Sequence, residues 1–295
     1  MGVNIAGIVN FRNLKKEELK GRIIAVDTYI QLHQFMRTMP MLNDNKGNVT
    51  THLSGLFYRT ARLLEMGAKP CFVFDGPFLL PNEKPEEPAM PRTSETITDE
   101  MAEDAKQLLS LMGLPVVQAM ADGEAQAAYI CRQGDAWAVA SQDYDCLLYN
   151  APRLITNITM SKSRKTSAGK KVIIGMQALE LNHLLKELSI NQKQLIALAM
   201  LVGTDYNKGI YGIGQKKALK LVQKHGNDFG KMFEELGWKD EYGWEDVFNH
   251  ISKMPVNRNY SLKWKKPDRE GLFDFLVMQR QFSRERVENA IQRCE

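Results

Sequence analysis

Short apolar runs that alternate with amphipathic stretches predict an α/β sheet protein with a helical extension. Three observations carry this. The runs at 22–27 (RIIAVD), 70–75 (PCFVFD) and 136–142 (AWAVASQ) have the length and apolar continuity of buried strands. Stretches of helical period separate them, and the chain after Met176 is mostly helical in pattern. The sequence has no internal repeat and no clean linker, so its 295 residues read as one continuous domain with ample chain to bury a core.

The elements follow in order. Residues 22–27 form a strand after the turn residue Gly21, and 28–39 have helical spacing. Residues 51–66 form an amphipathic helix with Gly67 suited to its C-terminal cap. The strand 70–75 ends in Asp-Gly. Residues 77–91, with five prolines and three glutamates, form a loop. Residues 93–112 form a helix with a solvated charged face. A brief strand at 115–118 precedes a helix at 122–134 that Asp122 can N-cap. The strand 136–142 runs into Asp143. Strands at 153–159 and 171–174 flank a polar, lysine-rich hairpin.

Composition excludes several classes. With 44% hydrophobic and 25% charged residues the chain is neither disordered, collagen-like nor a disulfide scaffold. Its longest apolar run, 195–202, is far short of a membrane span. The start MGVNIAGIVN lacks the layout of a signal peptide, and Ala6 stands where a myristoylation signal needs Ser or Thr. Cys71, Cys131, Cys146 and Cys294 form no CxxC or Cys/His cluster, so they are expected reduced, in an intracellular protein. A net charge of +4 is by itself a weak pointer to a polyanionic partner.

The acids are more informative. In an open α/β sheet, ligands collect beyond the carboxyl ends of the strands. There the sequence places Asp27 (AVDTY), Asp75 (FVFDG), Asp122 and Glu124 (ADGEAQAAY), and Asp143 and Asp145 (SQDYDCLL), with Asp205 (LVGTDYN) after an apolar helix. Singly, Asp75 reads as a turn, Asp122 as a helix cap, and Asp143 and Asp145 as loop solvation. Together they would repel one another unless a cation neutralised them. Oxygen ligands alone select Mg²⁺ or Mn²⁺ over zinc, and a cluster of this size suits two ions acting on a phosphodiester.

The bases are segregated from these acids. In KGIYGIGQKKALKLVQK (208–224), Gly209, Gly212 and Gly214 precede a helix starting near Gln215, an arrangement that aims backbone N–H groups at a phosphate. Lys216, Lys220 and Lys224 share one helical face, Lys217 adjoins them, and no acid occurs between Tyr206 and Asn227. This resembles a helix-hairpin-helix that grips a DNA backbone without reading sequence; a plain helical turn with a solvated lysine face is the alternative. The runs 161–171 (SKSRKTSAGKK) and 253–269 are also basic, and read either as DNA contacts or as solvated surface.

The ordered strings MGVNIAGIV, AVDTYIQLHQF, GNVTTHLSGLFYRT, KPCFVFDG, EDAKQLLSLMGLPVVQA, DGEAQAAYI, ASQDYDCLLY, APRLITNIT, LVGTDYN and GIGQKKAL resemble flap endonucleases of the archaeal and eukaryotic type, in the structure-specific 5′ nuclease superfamily. The resemblance runs from Met1 to about Arg286. It implies a PIN-like 5′ nuclease fold: a twisted, mostly parallel sheet flanked by helices, with a helix-two-turn-helix that binds DNA. It divides the chain into an N-terminal nuclease region (1–105) and an internal region (106–295), one continuous catalytic domain with the DNA-binding segment at 203–226. It implies two Mg²⁺ (Mn²⁺ as an alternative) and K⁺ at the helix-two-turn-helix. Asp27, Asp75, Asp122 and Glu124 would serve one divalent ion, and Asp143, Asp145 and Asp205 the other. Gly2 would lie by the active site, and the segment from Thr50 to Arg59 would receive a one-nucleotide 3′ flap.

The chain departs from that family at three places. Asp122 stands where the family has Glu, and His33 where it has a Tyr that stacks on DNA. The segment between Asp75 and Asp122 is much shorter than the family's basic helical arch, with Lys84 and Arg92 as candidate replacements for the arch's cations. The expected activity is cleavage of branched DNA at a 5′ flap, in replication and repair, by a monomer without membrane contact. Cytoplasm in a prokaryote, or nucleus in a eukaryote, is the expected compartment. A sliding clamp is a possible partner by the resemblance, which the lack of a match to the family's clamp-binding tail before Glu295 puts in doubt. The alternatives are a junction-binding module with weakened catalysis, an RNA-cleaving relative, and an arch-poor nuclease for gapped or open junctions. The seven acids carry −7 of the net +4, which leaves +11 on the rest of the chain. An acidic pocket in a basic shell should bind DNA in a strongly salt-dependent way.

Overall fold

A computed structural model of the chain describes residues 2–83, 97–158, 162–165 and 171–293. Its centre is a seven-stranded sheet of β1 (Arg12–Asn13), β2 (Ile23–Asp27), β3 (Lys69–Phe74), β4 (Val116–Gln118), β5 (Ala138–Ala140), β6 (Arg153–Thr156) and a strand at Gln177–Glu180, in the order β4-β3-β2-β5-β6, then Gln177–Glu180, then β1. The pairs from β4 to β6 are parallel; Gln177–Glu180 runs against both its neighbours. Between β6 and that strand, β7 (Lys162–Lys165) and β8 (Lys171–Ile174) form a separate antiparallel ribbon, so Gln177–Glu180 is β9.

Alternation along the central strands divides the core. Ile24, Val26, Phe72 and Phe74 face one layer, and Ala25, Cys71 and Val73 face the other. Both faces of β2 and β3 are therefore covered, as their unbroken apolar runs require. The first layer holds α1 (Thr28–Thr38), α2 (Thr51–Glu65) and α3 (Asp99–Leu111). The opposite layer holds α4 (Gly123–Arg132), α5 (Asp145–Leu148), α6 (Leu181–Glu187), α7 (Gln192–Val202), α8 (Gln215–His225), α9 (Phe229–Glu235) and α10 (Trp244–Ser252). A strap at 253–268 carries the chain back to the first layer. It is held by Trp264 Nε1–H to the carbonyl of Pro70 (3.0 Å) and by Lys265 N–H to that of Gly113 (2.8 Å). Two last helices, α11 (Arg269–Phe273) and α12 (Arg284–Gln292), close that layer over α3 and α2.

The α/β reading and the helices at 28–39, 51–66 and 122–134 match the structure to within a few residues. Some elements differ. The run 171–174 is a strand of the hairpin itself, paired with 162–165, not a flank beside 153–159. The strands β1 and β9 were not expected, because RN and QALE are short and poor in β-formers. Their pairing is set by tertiary context. Arg153 opposes Glu180 across β6 and β9 and forks onto its carboxylate at 2.5 and 2.9 Å, with its guanidinium 4.2 Å over the Trp137 ring. The helix expected from residue 93 is described from Asp99, capped by the Thr98 side chain on Met101 N–H (3.2 Å). Cys71, Cys131 and Cys146 are buried free thiols, as expected; Cys294 lies outside the described residues. No helix among the described residues is long and apolar enough to cross a membrane.

Phe72 is enclosed between β2, β4 and the α2–α3 layer, with 1% of its surface exposed. Phe72→Ala should cost about 3–5 kcal/mol. Urea unfolding should show this as a lower midpoint with an unchanged slope.

Candidate metal centre and nucleic-acid surface

The strand order places a topological switch point between β2 and β5, where successive connections leave in opposite directions. Asp27 ends β2 at this crevice and is 3% exposed. Its Oδ1 accepts the Ile30 N–H (3.2 Å), capping α1, and its Oδ2 accepts the hydroxyl of Ser141 (3.3 Å), just past β5. The same hydroxyl accepts the N–H of Asp143 (3.2 Å). One serine thus fixes an acid on each side of the crevice.

Asp75 follows β3. The chain turns sharply at Gly76, whose N–H meets the Ala121 carbonyl at 2.7 Å. This brings Asp75 Oδ1 onto the N–H of Gly123 at the start of α4 (2.6 Å). A Cβ at position 123 would stand 2.5 Å from that oxygen, so a side chain there would push the Asp75 carboxylate off the Gly123 N–H. Asp122 caps α4 through Oδ1 on Ala125 N–H (2.9 Å), and its Oδ2 accepts the phenols of Tyr149 (3.3 Å) and Tyr206 (3.5 Å). Glu124 is buried in the first turn of α4, and its Oε1 has no hydrogen-bond partner.

Asp145 opens α5, and its Oδ1 accepts the N–H of Val3 (2.8 Å). The N-terminal segment lies directly on this acid. A Cβ on Gly2 would be 2.8 Å from Asp145 Oδ2 and 2.9 Å from Asp143 Cβ. Asp205, in the loop after α7, is exposed, and its charge bears on Asp145.

Electrostatics binds these acids into one group. Burial, then the charge of Asp75, drives the Asp27 carboxyl well above its usual range against the pull of Ile30 N–H. Burial, then Asp145 and Asp27, does the same to Glu124. Burial pushes Asp145 up to about 7, with Val3 N–H opposing and Asp205 and Asp122 adding to the rise. Among the described residues no three acids, histidines or cysteines already close round a single ion position. A spread, mutually repelling, all-oxygen set with one orphaned carboxylate oxygen fits hard divalent cations. Mg²⁺ keeps several waters and binds through one or two carboxylates, not in an all-protein cage.

The second feature is the turn from α7 to α8. Gly209 has φ +76°, and a Cβ there would lie 2.5 Å from the Val202 carbonyl; Gly212 has φ +75°. Gly214 caps α8, which buries Ala218 and Val222 and leaves Lys216, Lys217, Lys220 and Lys224 exposed. The N-terminal segment reaches this helix too: the Gly7 N–H donates to Gln215 Oε1 (2.7 Å). One stretch of chain therefore touches the acids at residues 2 and 3 and the lysine helix at residue 7.

The remaining expected residues among those described sit on α1 and α2. His33 is half-buried on α1. Thr50 is buried at the start of α2, its N–H bonded to the Leu42 carbonyl (2.7 Å). Arg59 is half-buried with its guanidinium 5.0 Å over the Phe35 ring, so the part of 50–59 open to a ligand is the end at Tyr58 and Arg59. Lys84 and Arg92 lie outside the described residues, as does most of 161–170. Along the strap, Leu262 and Trp264 turn inward while Lys263 and Lys265 are exposed. Sequence reading missed Ser141, Tyr149 and Tyr206. The only available signal was their place beside acids, in SQD and TDYN, or at the end of the run DCLLY.

Residues 3–92 match the XPG N-terminal domain and residues 113–205 the XPG I-region. Flap endonuclease 1 of Pyrococcus horikoshii is 41% identical over all of this chain and 94% of its own length; that of Pyrococcus furiosus is 40% identical over all of this chain and 95% of its own. The chain belongs to the flap endonuclease 1 family. Its fold matches the solved flap endonuclease-1 from Methanococcus jannaschii with a TM-score of 0.84 at 33% identity, over 99% of this chain and 98% of that one. The catalytic core of Rad2 in complex with DNA substrate shares the fold, with a TM-score of 0.78 at 22% identity and full coverage of both chains. Within this flap endonuclease 1 family member, the matched regions hold all seven acids.

Gly123→Ala keeps every acid but displaces Asp75. It should lower metal-dependent activity by about 100-fold, with DNA affinity little changed, in parallel cleavage and binding assays. The raised acids also set a pH dependence. In metal-free protein the folded state holds its proton on Asp145 up to about pH 7, while an unfolded aspartate releases it near pH 4. The folded state binds more protons across that window, so this group's contribution to stability falls as pH rises from about 4 to about 7. In chelator, Asp145→Asn should therefore raise the melting temperature by a few degrees (~2–6 °C) at pH 7.5 and change it little at pH 4. An equal effect at both pH values would contradict the assignment.

Proposed function

We propose that this chain is a divalent-metal-dependent, structure-specific nuclease that cuts branched DNA at the base of a 5′ flap and removes nucleotides from a 5′ end, in replication and repair. The observation that carries this reading is the N-terminal segment, which packs on Asp143 and Asp145 at one end and on the lysine helix α8 at the other. A phosphodiester-cutting site and a duplex-gripping surface are thereby held at a fixed spacing.

Mg²⁺ is the proposed ion at the acids, with Mn²⁺ as its chemical equivalent and K⁺ at the loop 203–214. When bound, the divalent ions supply charge that eases deprotonation of the attacking water and departure of the leaving oxygen. Asp27, Asp75, Asp122, Glu124, Asp143, Asp145 and Asp205 would hold those ions. The residues of this chain do the rest by position. The start of α8 and Lys216, Lys217 and Lys220 take the phosphates of the duplex without reading bases. Ser141 keeps Asp27 and Asp143 in register across the crevice. The products are a 5′-phosphate and a 3′-hydroxyl. The protein acts as a monomer inside the cell.

A second reading concerns the gate for the 5′ end. The alignment to the P. horikoshii relative spans 328 positions against 295 residues here, and the stretch between Asp75 and Asp122 has few bases. This favours an open gate, with less demand for a free 5′ end. Cleavage unchanged by a bulky 5′ block supports it; full inhibition sinks it.

Purified protein with Mg²⁺ should cut a DNA flap in preference to the same RNA flap. Asp143→Ala should slow cutting by on the order of 10³-fold, about 4 kcal/mol of transition-state stabilisation, while still shifting the flap in a binding assay with Ca²⁺. Binding without any cutting by the wild-type chain would favour the junction-binding module instead.

A further inference from the structure

The basic run 253–269 is a charged feature of the sequence that the site above does not use. In the fold it is the strap that carries the chain from α10 to α11, and residues 254–268 form neither helix nor strand. A segment of that length without secondary structure is uncommon in a compact domain and is usually functional. Its backbone is nevertheless fixed along its course. Gln126, wholly buried on α4, donates to the Asn257 carbonyl (2.8 Å) and accepts the Asn257 N–H (2.6 Å). The Tyr260 phenol donates to Asp135, just past α4. The Trp264 indole and the N–H groups of Lys265 and Asp268 are tied to the carbonyls of Pro70, Gly113 and Leu111. The fit at Gly113 is close: a Cβ there would lie 2.3 Å from the Lys265 carbonyl.

This fixed strap presents cations with no acid of its own to neutralise them. No Asp or Glu occurs between His250 and Asp268. Arg258, Lys263, Lys265 and Lys266 are exposed, and none of the four makes an ion pair among the described residues. Leu262 and Trp264 turn inward, so Lys263 and Lys265 project on the same side. On an extended chain such side chains repeat at about 6.6 Å, which suits successive phosphates of an extended single strand. The head of the strap reaches the rim of the acid cluster. Asn257 Nδ2 donates to the Gln118 carbonyl at the end of β4 (3.2 Å), and Gln118 Nε2 donates to the Asp75 carbonyl (2.6 Å). One glutamine thus separates the strap from an acid of the centre. The stretch after Asp75 has the opposite charge: residues 77–91 hold three glutamates and one lysine.

We propose that the strap is a track for the displaced 5′ single strand, which leaves the acid cluster past Asn257 and runs along Arg258, Lys263, Lys265 and Lys266. This rests on the nuclease reading above. A polyanion leaving the cluster meets an acidic stretch on one side and unpaired cations on another, and Coulomb attraction selects the second. Contacts from these side chains to phosphates carry no base information, which suits a strand of any sequence. The backbone of the track is already fixed, so little ordering cost falls on binding. The duplex stays with α8, and the strap adds affinity only where a flap is present.

The test compares one branched DNA with and without its 5′ single-stranded flap. Binding of each in Ca²⁺ is followed by fluorescence anisotropy over a range of salt, for wild type and for Arg258→Ala/Lys263→Ala/Lys265→Ala/Lys266→Ala. On the flapped DNA the variant should bind about tenfold more weakly, and its slope of log affinity against log salt should be shallower by about 0.7 per lost phosphate contact, roughly 3 for all four. On the flapless DNA its affinity should stay within about twofold of wild type, with the same slope. Lys263→Arg/Lys265→Arg/Lys266→Arg, which keeps the charge, should keep the flap-dependent affinity. An equal loss on both DNAs overturns the proposal, because the strap would then hold the duplex. No loss on either also overturns it, because the cations would then be solvated surface. Melting temperatures check the fold; if the fourfold variant melts early, the four single variants replace it, each expected to lower the slope on flapped DNA alone by about 0.7. If the wild-type chain bound flaps in this way and cut none, the nuclease reading would fall while the track would stand.

Discussion

The constraint on which the structure turns is the burial of like charge at the carboxyl end of the sheet. Asp27, Glu124 and Asp145 are each more than nine-tenths enclosed, and burial together with neighbouring acids raises the proton affinity of each. No cationic side chain is bonded to any of the three in the contacts described. Such a cluster opposes folding in its ionised form, and apolar burial elsewhere must offset it. The offset comes from the two-layer core, in which β2 and β3 are covered on both faces. The sheet is the stable frame that allows an unstable charge arrangement at its edge, and a hard cation is what relieves that arrangement.

The frame also sets reach. Five residues of chain can span at most about 17 Å. Residues 2 to 7 join the acids to α8 through three contacts: the close approach of Gly2 to Asp145, the Val3 bond to the same acid, and the Gly7 bond to Gln215. The distance from the acids to α8 is thus bounded by a short tether whose ends are both fixed. A nuclease that selects branched structures by shape needs such a fixed spacing, because phosphate contacts position the duplex and carry no sequence information. In the proposed function, the lysines of α8 supply attraction and the tether supplies geometry.

The sequence made much of this legible, and the limits are physical. The strands β2, β3 and β5 declare themselves because burial on both faces demands unbroken apolar runs, and the acids declare themselves because they end those runs. Asp27, Asp75 and Asp143 stand out as the ends of strand runs, with Asp145 beside the last, Asp122 and Glu124 at a helix start, and Asp205 after an apolar helix. The antiparallel edge was hidden, since β9 (QALE) has no strand signature of its own and is recruited by β6 and by Arg153 on Glu180. Ser141, Tyr149 and Tyr206 were hidden for a related reason. Their roles are hydrogen bonds across 114, 27 and 84 residues of sequence, and no local period encodes such a bond. The same holds for β7 and β8, which pair only with each other and stand apart from the central sheet.

Asp122 shows how a capping side chain is shared among its surroundings. Aspartate is a strong N-cap, because its carboxylate reaches the N–H groups of the first helical turn; glutamate is not among the preferred caps. At the start of α4 the shorter acid closes on Ala125 N–H, which leaves Oδ2 to the two phenols. Glu124, two residues on, points its longer arm from the same turn and keeps an oxygen without a partner. The cap that fixes Asp122 also fixes the helix start that presents Gly123 N–H to Asp75. One helix N-terminus thereby assigns three acids three different tasks. Asp75 is oriented by its backbone, Asp122 is committed to the cap and the tyrosines, and Glu124 is left with the free oxygen that a cation can take.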